Sequence, residues 1–378
     1  MANKNLTKAK NAKNDEFYTQ FDDIVKEMQA YIDRDANIFK DKIVYCNCDD
    51  PFESNFFQYF ASKFKELGLK QLITTSYEGS PIAFTQTTLL DYEEEQVIVT
   101  PKGRNKGAYA YFINDSLDYD FNGTINIDDV KYLIEHDKNA TKKLRPDGDK
   151  RAGDFRSADC VALLETADIV VTNPPFSLFR EYLAQLVVFG KKFAIISNKN
   201  AITYKEVFPL IKENSLWSGK TAWSGGMWFV TMNNDDVDKV VDGINTKNVP
   251  SIWLTNIDHG KRHQHLALNT MAQNLKHIGH RLKPKNAYVK YDNYNAIEVP
   301  LTEAIPSDYD GVMGVPISFL DKYNPDQFEI VGSDYEIKMG KLPCLLNKSW
   351  QGKLDRPYIN GNRIYSRIMI KHKKGDNK

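Results

Sequence analysis

Residues 169–172 (IVVT) run directly into Asn173, Pro174, Pro175 and Phe176, and this junction restricts the fold more than any other stretch. The apolar, β-branched run predicts a short buried strand. Neither proline can donate to a sheet ladder, and each holds the residue before it in extended backbone. The chain must therefore leave the sheet there. Over residues 177–188 (SLFREYLAQLVV) apolar side chains recur at helical spacing, with Ser177 expected as the N-cap. The Asn-Pro-Pro-Phe segment is thus expected at the carboxyl end of a strand, where open α/β sheets bind ligands.

The surrounding pattern supports such a sheet. Residues 24–32 read as an amphipathic helix, 42–48 as a strand, 56–67 as a helix closed by Gly68, and 71–77 as the next strand. After the junction come a strand at 193–197 and a helix near 204–212. Strands and helices alternate from residue 42 to about 212, which predicts a doubly wound, Rossmann-like α/β domain. Residues 79–150 break the pattern and read as an insertion, with a short strand near 124–127 and a tract around 137–150 that reads as partly mobile. The runs MWFVTM and SIWLTNI are candidates to complete the sheet. The expected organisation is a basic flexible arm at 1–14, an α/β domain at 15–258 and a separate C-terminal region at 259–378.

The 378 residues carry as many acids as bases, so net charge alone argues against a simple nucleic-acid binder. The distribution is uneven. Residues 1–14 hold Lys4, Lys8, Lys10 and Lys13 and no acid, and from 338 onward only Asp355 and Asp376 oppose the Lys and Arg residues. Basic ends suit phosphate contact as readily as they suit solvated tails. No apolar run approaches membrane-spanning length and no signal peptide is evident, so a soluble, cytoplasmic protein is expected. Cys46 and Cys48 share a face of one expected strand, and Cys160 and Cys344 have no partners at metal-ligand spacing. Reduced thiols and no bound metal are therefore expected. His259, His263 and His265 read as exposed loop residues.

The residue types at the junction suggest a chemistry. An exocyclic amine on an aromatic ring, such as adenine N6, is a poor nucleophile because its lone pair is delocalised. Acceptors holding both N–H groups favour a tetrahedral nitrogen, and the Asn173 side chain with the Pro174 carbonyl can supply them without reorganising. Pro175 fixes that carbonyl, and Phe176 offers a face for the base. A plain Pro-rich turn is the alternative. Elsewhere, Glu78 at the end of the second strand could accept ribose hydroxyls or be an ordinary turn residue. Asp154 with Phe155 could hold an adenine or precede a helix as a cap. Phe17, Tyr18 and Thr19 could lie across a methionyl group or form a hydrophobic staple. The acidic turn at 49–55 lacks the glycines of a nucleotide fingerprint and reads equally as an N-capped βα junction. Trp228 or Phe229 could stack on the base or pack in the core.

Asn-Pro-Pro-Phe is the signature of amino-group methyltransferases that use S-adenosylmethionine. Taken together, DEFYTQ, VYCNCDDPFESNFF, GDFRS, DIVVTNPPFSLFREYL, ITYKEVF, KYDNYNAI and GVMGVPISFL resemble the EcoRI-type adenine-N6 DNA methyltransferases over most of the chain, in order. The resemblance implies a methyltransferase sheet followed by a target-recognition region. S-adenosylmethionine would be the methyl donor and double-stranded DNA the substrate, with a flipped-out adenine as target. It places Phe17, Tyr18 and Thr19 near the donor's methionine end, above a loop of Asp50, Pro51, Ser54 and Asn55. Asp154 and Phe155 would hold its adenine, and Asn173, Pro174, Pro175 and Phe176 the target base, with Asn173 also assigned to the cofactor site. A monomer without a membrane partner is expected, and a cognate restriction endonuclease acting on the same site is compatible with it. An RNA adenine-N6 methyltransferase, a glutamine-N5 protein methyltransferase and a catalytically silent DNA-binding homologue are the rivals.

Overall fold

The computed structural model describes residues 18–373 apart from 48, 50–53, 77–107, 116–117, 120–127, 130–131, 133–135, 137–140, 232–236 and 242. The chain forms two compact units, residues 1–201 with 219–258 and residues 202–218 with 259–378. The segment 202–218, which the sequence pattern assigns to the first domain, clusters with the second unit. Among the described residues no helix is long and apolar enough to cross a membrane.

The first unit contains β1 (Tyr18–Thr19), β2 (Ile43–Cys46), β3 (Gln71–Thr75), β4 (Tyr109–Ile113), β5 (Thr141–Lys143), β6 (Ile169–Thr172) and β7 (Lys192–Asn198). The short β8 (Trp217–Ser218) belongs to the second unit, and β9 (Met227–Val230), β10 (Lys239–Val241), β11 (Ile244–Val249) and β12 (Ser251–Thr255) return to the first. Its main sheet has the order β5-β4-β3-β2-β6-β7-β12. The central pairings β3–β2, β2–β6 and β6–β7 are parallel, while β4, β5 and β12 join antiparallel. All four residues of β6 are buried, as a central parallel strand covered on both faces requires. Asp168, just ahead of β6, accepts from the Ile43 N–H at 2.8 Å, and its own N–H donates to the Ile43 carbonyl at 2.9 Å. That reciprocal pair sets the β2–β6 register.

The flanking helices are α1 (Phe21–Arg34), α2 (Asn55–Ser62), α3 (Phe64–Leu67), α4 (Ala158–Thr166) and α5 (Phe179–Val188). α1 buries Ile24, Glu27, Met28 and Tyr31, one face at helical spacing. Glu27 is fully buried yet well supplied with donors. It accepts from the Tyr31 hydroxyl and the Lys220 N–H, each at 2.7 Å, and from the Thr221 N–H and hydroxyl at 2.9 and 2.8 Å. Gly219 makes that approach feasible, because a Cβ there would lie 2.0 Å from the Glu27 carboxylate.

Several expectations need correction. The stretch expected as one helix from 56 to 67 is two pieces that break at Lys63, whose φ of −103° and ψ of 13° leave the helical region; Gly68 closes the second in the left-handed conformation. Ser177 is not an N-cap. It lies inside a 3-10 turn, Phe176–Leu178, closed by the Leu178 N–H to the Pro175 carbonyl at 3.0 Å, and α5 begins only at Phe179. Pro175 cannot itself join a helical ladder, so the tight turn absorbs the change in direction. The insertion at 79–150 is in part sheet, since β4 and β5 extend the β3 edge; the strand expected near 124–127 lies outside the described residues. Residues 141–150, within the tract read as mobile, include β5. SIWLT completes the main sheet as β12, but MWFV forms β9 of a separate antiparallel sheet, β1-β9-β11-β10. The strand expected over 42–48 ends at Cys46, and Cys48 lies outside the described residues. The helix near 204–212 is confined to Phe208–Lys212. His259 is buried rather than exposed, with Nε2 2.9 Å from the Ser218 carbonyl.

In the second unit, β13 (Ile297–Glu298), β14 (Met313–Val315), β15 (Phe328–Ser333) and β18 (Ile368–His372) form a sheet ordered β13-β14-β18-β15. A separate hairpin pairs β16 (Tyr358–Ile359) with β17 (Asn362–Arg363).

Glu27→Ala takes the shared acceptor from the buried Tyr31 hydroxyl and from the Lys220 and Thr221 N–H groups. It is expected to lower the unfolding free energy by about 2–4 kcal/mol, read as a lower urea midpoint at constant slope. A loss below about 0.5 kcal/mol would show that the carboxylate is dispensable there.

Candidate active site

The parallel strands order as β3-β2-β6-β7, so the chain winds outward from β2 in one direction and from β6 in the other. Their carboxyl ends are a topological switch point, where an open α/β sheet leaves a crevice. Asn47 follows β2 and Asn173 follows β6, so both stand at this crevice.

Polar side chains at the strand ends tie the crevice together. The Thr172 hydroxyl donates to Asp49 Oδ2 at 2.7 Å and also lies against the Asn47 carbonyl. Asp49 Oδ1 accepts from the Ser54 hydroxyl at 2.8 Å. Ser54 is the N-cap of α2 and accepts from the Phe56 and Phe57 N–H groups at 3.2 and 3.4 Å. Asn55 reaches back from the same helix end, donating to the Thr19 carbonyl at 2.8 Å. From β3, the Thr75 hydroxyl donates to Asn47 Oδ1 at 2.8 Å, and the Thr74 hydroxyl meets the Cys46 carbonyl at 3.0 Å and the Asp49 carbonyl. One connected path therefore runs from Thr19 through Asn55, Ser54, Asp49 and Thr172 to Asn173. It joins segments that are more than a hundred residues apart in the chain.

Asn173 and Pro175 are half-buried and Pro174 is buried. Phe176 is partly buried against the core. Asp154 is engaged by Arg156, whose Nε and Nη2 reach its two oxygens at 2.9 and 2.7 Å; the Arg156 N–H adds a bond of 2.9 Å. Burial works to raise the Asp154 carboxyl, but these Arg156 bonds outweigh it and hold the group below the usual carboxylate range. Arg156 also bonds Glu181 of α5 at 2.7 Å. Phe155 is buried and meets Tyr182 edge-on, with ring centroids 5.0 Å apart. Helix α4 is capped by Ser157, so Asp154 is not its cap. Asp154 and Phe155 thus pack beside α5, the helix that follows the Asn-Pro-Pro-Phe turn, and lie outside the hydrogen-bonded path. Phe17, Asp50, Pro51 and Glu78 lie outside the described residues, and of Tyr18 only the backbone is described, paired with Val230. Phe229 is buried in the core and Trp228 is partly exposed.

Asn47, Asp49, Thr74, Thr75 and Thr172 were not among the expected site residues. Their signal was a polar residue at the carboxyl end of an otherwise apolar strand, repeated on β2, β3 and β6.

The family model for the adenine-specific methyltransferase EcoRI matches residues 5–373. The chain belongs to this family of DNA methyltransferases. It is similar to the type II methyltransferase M.EcoRI of Escherichia coli, with 40% identity covering 98% of this chain and 97% of the relative. M.MpnI of Mycoplasma pneumoniae is 33% identical (97% of this chain, 98% of the relative), and M.MgeORF184P of Mycoplasma genitalium 32% (97% and 98%). No solved structure matches. The protein is accordingly a site-specific DNA adenine methyltransferase dependent on S-adenosylmethionine.

The residues present fit that donor. Among the described residues the Thr19 hydroxyl is buried without a hydrogen-bond partner, next to the Thr19 carbonyl that accepts from Asn55. A buried orphan hydroxyl of this kind suits the polar methionyl end of a ligand better than it suits empty space.

Thr172→Val keeps the shape of the side chain but releases Asp49 from β6. It is expected to weaken S-adenosylmethionine binding about tenfold by calorimetric titration. An unchanged affinity would detach this hydroxyl from the cofactor site.

Proposed function

We propose that this enzyme takes an adenine out of duplex DNA and methylates its N6, with Asn173, Pro174, Pro175 and Phe176 receiving the flipped base. The observation that carries the reading is the position of Asn173 at the β2–β6 switch point, joined through Thr172 and Asp49 to Ser54 and Asn55 at the start of α2, where Asn55 bonds the Thr19 carbonyl.

When bound, S-adenosylmethionine supplies an electrophilic methyl group on a sulfonium centre. Thr19, Ser54 and Asn55 hold its methionine end in this reading, together with Phe17, Tyr18, Asp50 and Pro51. Glu78 takes its ribose hydroxyls. Asp154 and Phe155 are assigned to its adenine, an assignment that requires Asp154 to share a carboxylate now bonded to Arg156. The Asn173 side-chain oxygen and the Pro174 carbonyl accept the two N6 hydrogens and orient the nitrogen lone pair toward the methyl carbon. Pro175 removes the freedom of that carbonyl to turn away, so little reorganisation is needed at the moment of reaction. Phe176 stacks on the base and offsets part of the few kcal/mol lost on unstacking it. With the donor bound, its C–S bond would break as the N–C bond formed, and the N6 proton would then leave to solvent. No strong base is required. A monomer acting in the cytoplasm, with a cognate endonuclease cutting the same unmethylated sequence, completes the proposal.

Asn173→Ala is expected to lower methylation by at least about 10²–10³-fold, while S-adenosylmethionine affinity stays near that of the parent. Retained activity would remove Asn173 from the reaction. Long-read mapping of methylated adenines on unmethylated plasmid is expected to find marks confined to one short sequence. Marks on RNA and none on the plasmid would overturn the duplex reading.

A further inference from the structure

The motif KYDNYNAI at residues 290–297 lies in the second unit, and four of its residues, Asp292, Asn293, Tyr294 and Asn295, are committed to one task. Asp292 donates its N–H to the Tyr358 carbonyl and accepts from the Gly361 N–H through Oδ2, both at 2.8 Å. Asn293 accepts from the Tyr358 N–H at 3.0 Å and donates to the Arg356 carbonyl at 2.8 Å. The Tyr294 hydroxyl donates to the Leu354 carbonyl at 2.8 Å, and Asn295 donates to the Leu346 carbonyl at 3.2 Å. All of these bonds hold the segment that leads into the β16–β17 hairpin. Ile359 and Ile364 anchor the same segment in the apolar cluster of Tyr291 and Tyr294.

What this platform presents is a short ribbon turned outward. Asn360 and Gly361 form its tip with φ of 51° and 73°, a conformation suited to asparagine and glycine. Asn360, Gly361, Asn362 and Arg363 are all exposed, and Tyr365 is 85% exposed. That Tyr365 stands in solvent is not a matter of slack. On one side the Ile364 N–H bonds the Pro357 carbonyl at 3.0 Å. On the other, Ser366 and the Arg367 N–H bond Asp334 at 2.8 and 2.9 Å, and the Arg367 guanidinium is buried on Glu298. Lys348 and Lys353, in the segment that leads into the ribbon, are exposed. The one acid in residues 343–373, Asp355, is taken by Arg363 at 2.6 Å, and the Asp292 carboxylate beneath the tip is bonded to the Gly361 N–H.

We propose that the β16–β17 ribbon, through Asn360, Asn362 and Tyr365, reads base edges of the DNA recognition sequence. The major groove of B-DNA admits a two-stranded β-ribbon, and asparagine amides match the donor–acceptor pair on an adenine edge. The neighbouring lysines provide phosphate contacts that position without specifying. The platform under the ribbon keeps the ordering cost of binding low. This inference rests on duplex DNA being the substrate.

The test compares the parent enzyme with Asn362→Ala and Tyr365→Ala, separately and combined, on plasmid DNA and on short duplexes with and without the site mapped for the parent. Both positions are exposed, so thermal midpoint and S-adenosylmethionine affinity are expected to stay as in the parent. Affinity for the cognate duplex is expected to fall about 10- to 100-fold for the pair. Affinity for the scrambled duplex is expected to change little, and plasmid marks are expected to spread to sites differing at one base pair. Parent-like cognate affinity and site spectrum would overturn the ribbon assignment while leaving the duplex reading intact. Equal losses on both duplexes would make these residues phosphate contacts and overturn base reading. A parent enzyme with no activity on duplex DNA would overturn the substrate reading, and the ribbon assignment with it.

Discussion

The Asp49 carboxylate is the constraint on which the site depends. One oxygen holds the N-cap of α2 through Ser54, and the other holds the end of β6 through Thr172. A parallel sheet brings the carboxyl ends of β2 and β6 side by side but leaves the loops that follow them free to choose a path. Hydrogen bonds from threonine and serine hydroxyls to one shared carboxylate tie Asp49 to the start of α2 and to the end of β6. Asn173, the residue after Thr172, is thereby tied at the end of β6 to the start of α2, whose Asn55 bonds the Thr19 carbonyl.

The second unit uses the same device in another place. Asp292, Asn293, Tyr294 and Asn295 are spent on backbone carbonyls and N–H groups of the 343–361 segment, and the exposed ribbon keeps the Arg363–Asp355 pair and a 3.3 Å bond from the Asn362 amide to the Asn360 carbonyl. Nearby, Glu298, Arg367 and Tyr291 form a buried cluster in which the Tyr291 hydroxyl donates to Glu298 at 2.5 Å. Burial is the largest influence on Tyr291 and raises its hydroxyl well above the usual phenol range, with the Glu298 charge acting in the same direction. A buried, fully bonded polar cluster fixes geometry at a cost in stability, and the geometry it fixes here is the path of the chain from Tyr365 into β18.

Much of the fold was legible from local pattern. Buried parallel strands read as continuous apolar runs, so 43–46, 71–75, 169–172 and 192–198 were found within two residues at either end. The errors fell where tertiary context outweighs local preference. Lys63 breaks a helix whose apolar spacing continues through it. Tyr109–Ile113 joins the sheet from within a stretch whose charged surroundings hide it. MWFV and SIWLT look alike in sequence and went to different sheets, because strand pairing is decided by partners and not by composition. The departure of the chain from the sheet at Asn173, Pro174 and Pro175 was legible because prolines and a strand end restrict backbone conformation by sterics alone.

By itself, the sequence determined that a strand must end at Asn173, that a methyltransferase-like junction follows, and which family the chain resembles. These are properties of covalent geometry and of long matching strings, and they need no partner in space. Tertiary structure decided the rest. It made Asp49 the shared acceptor, turned Asp154 toward Arg156, buried Phe155 against Tyr182 and devoted the 290–297 motif to a ribbon some sixty residues on. A side-chain hydrogen bond or a ring contact is short-ranged, so its existence depends on which distant segments the fold brings within about 3–5 Å.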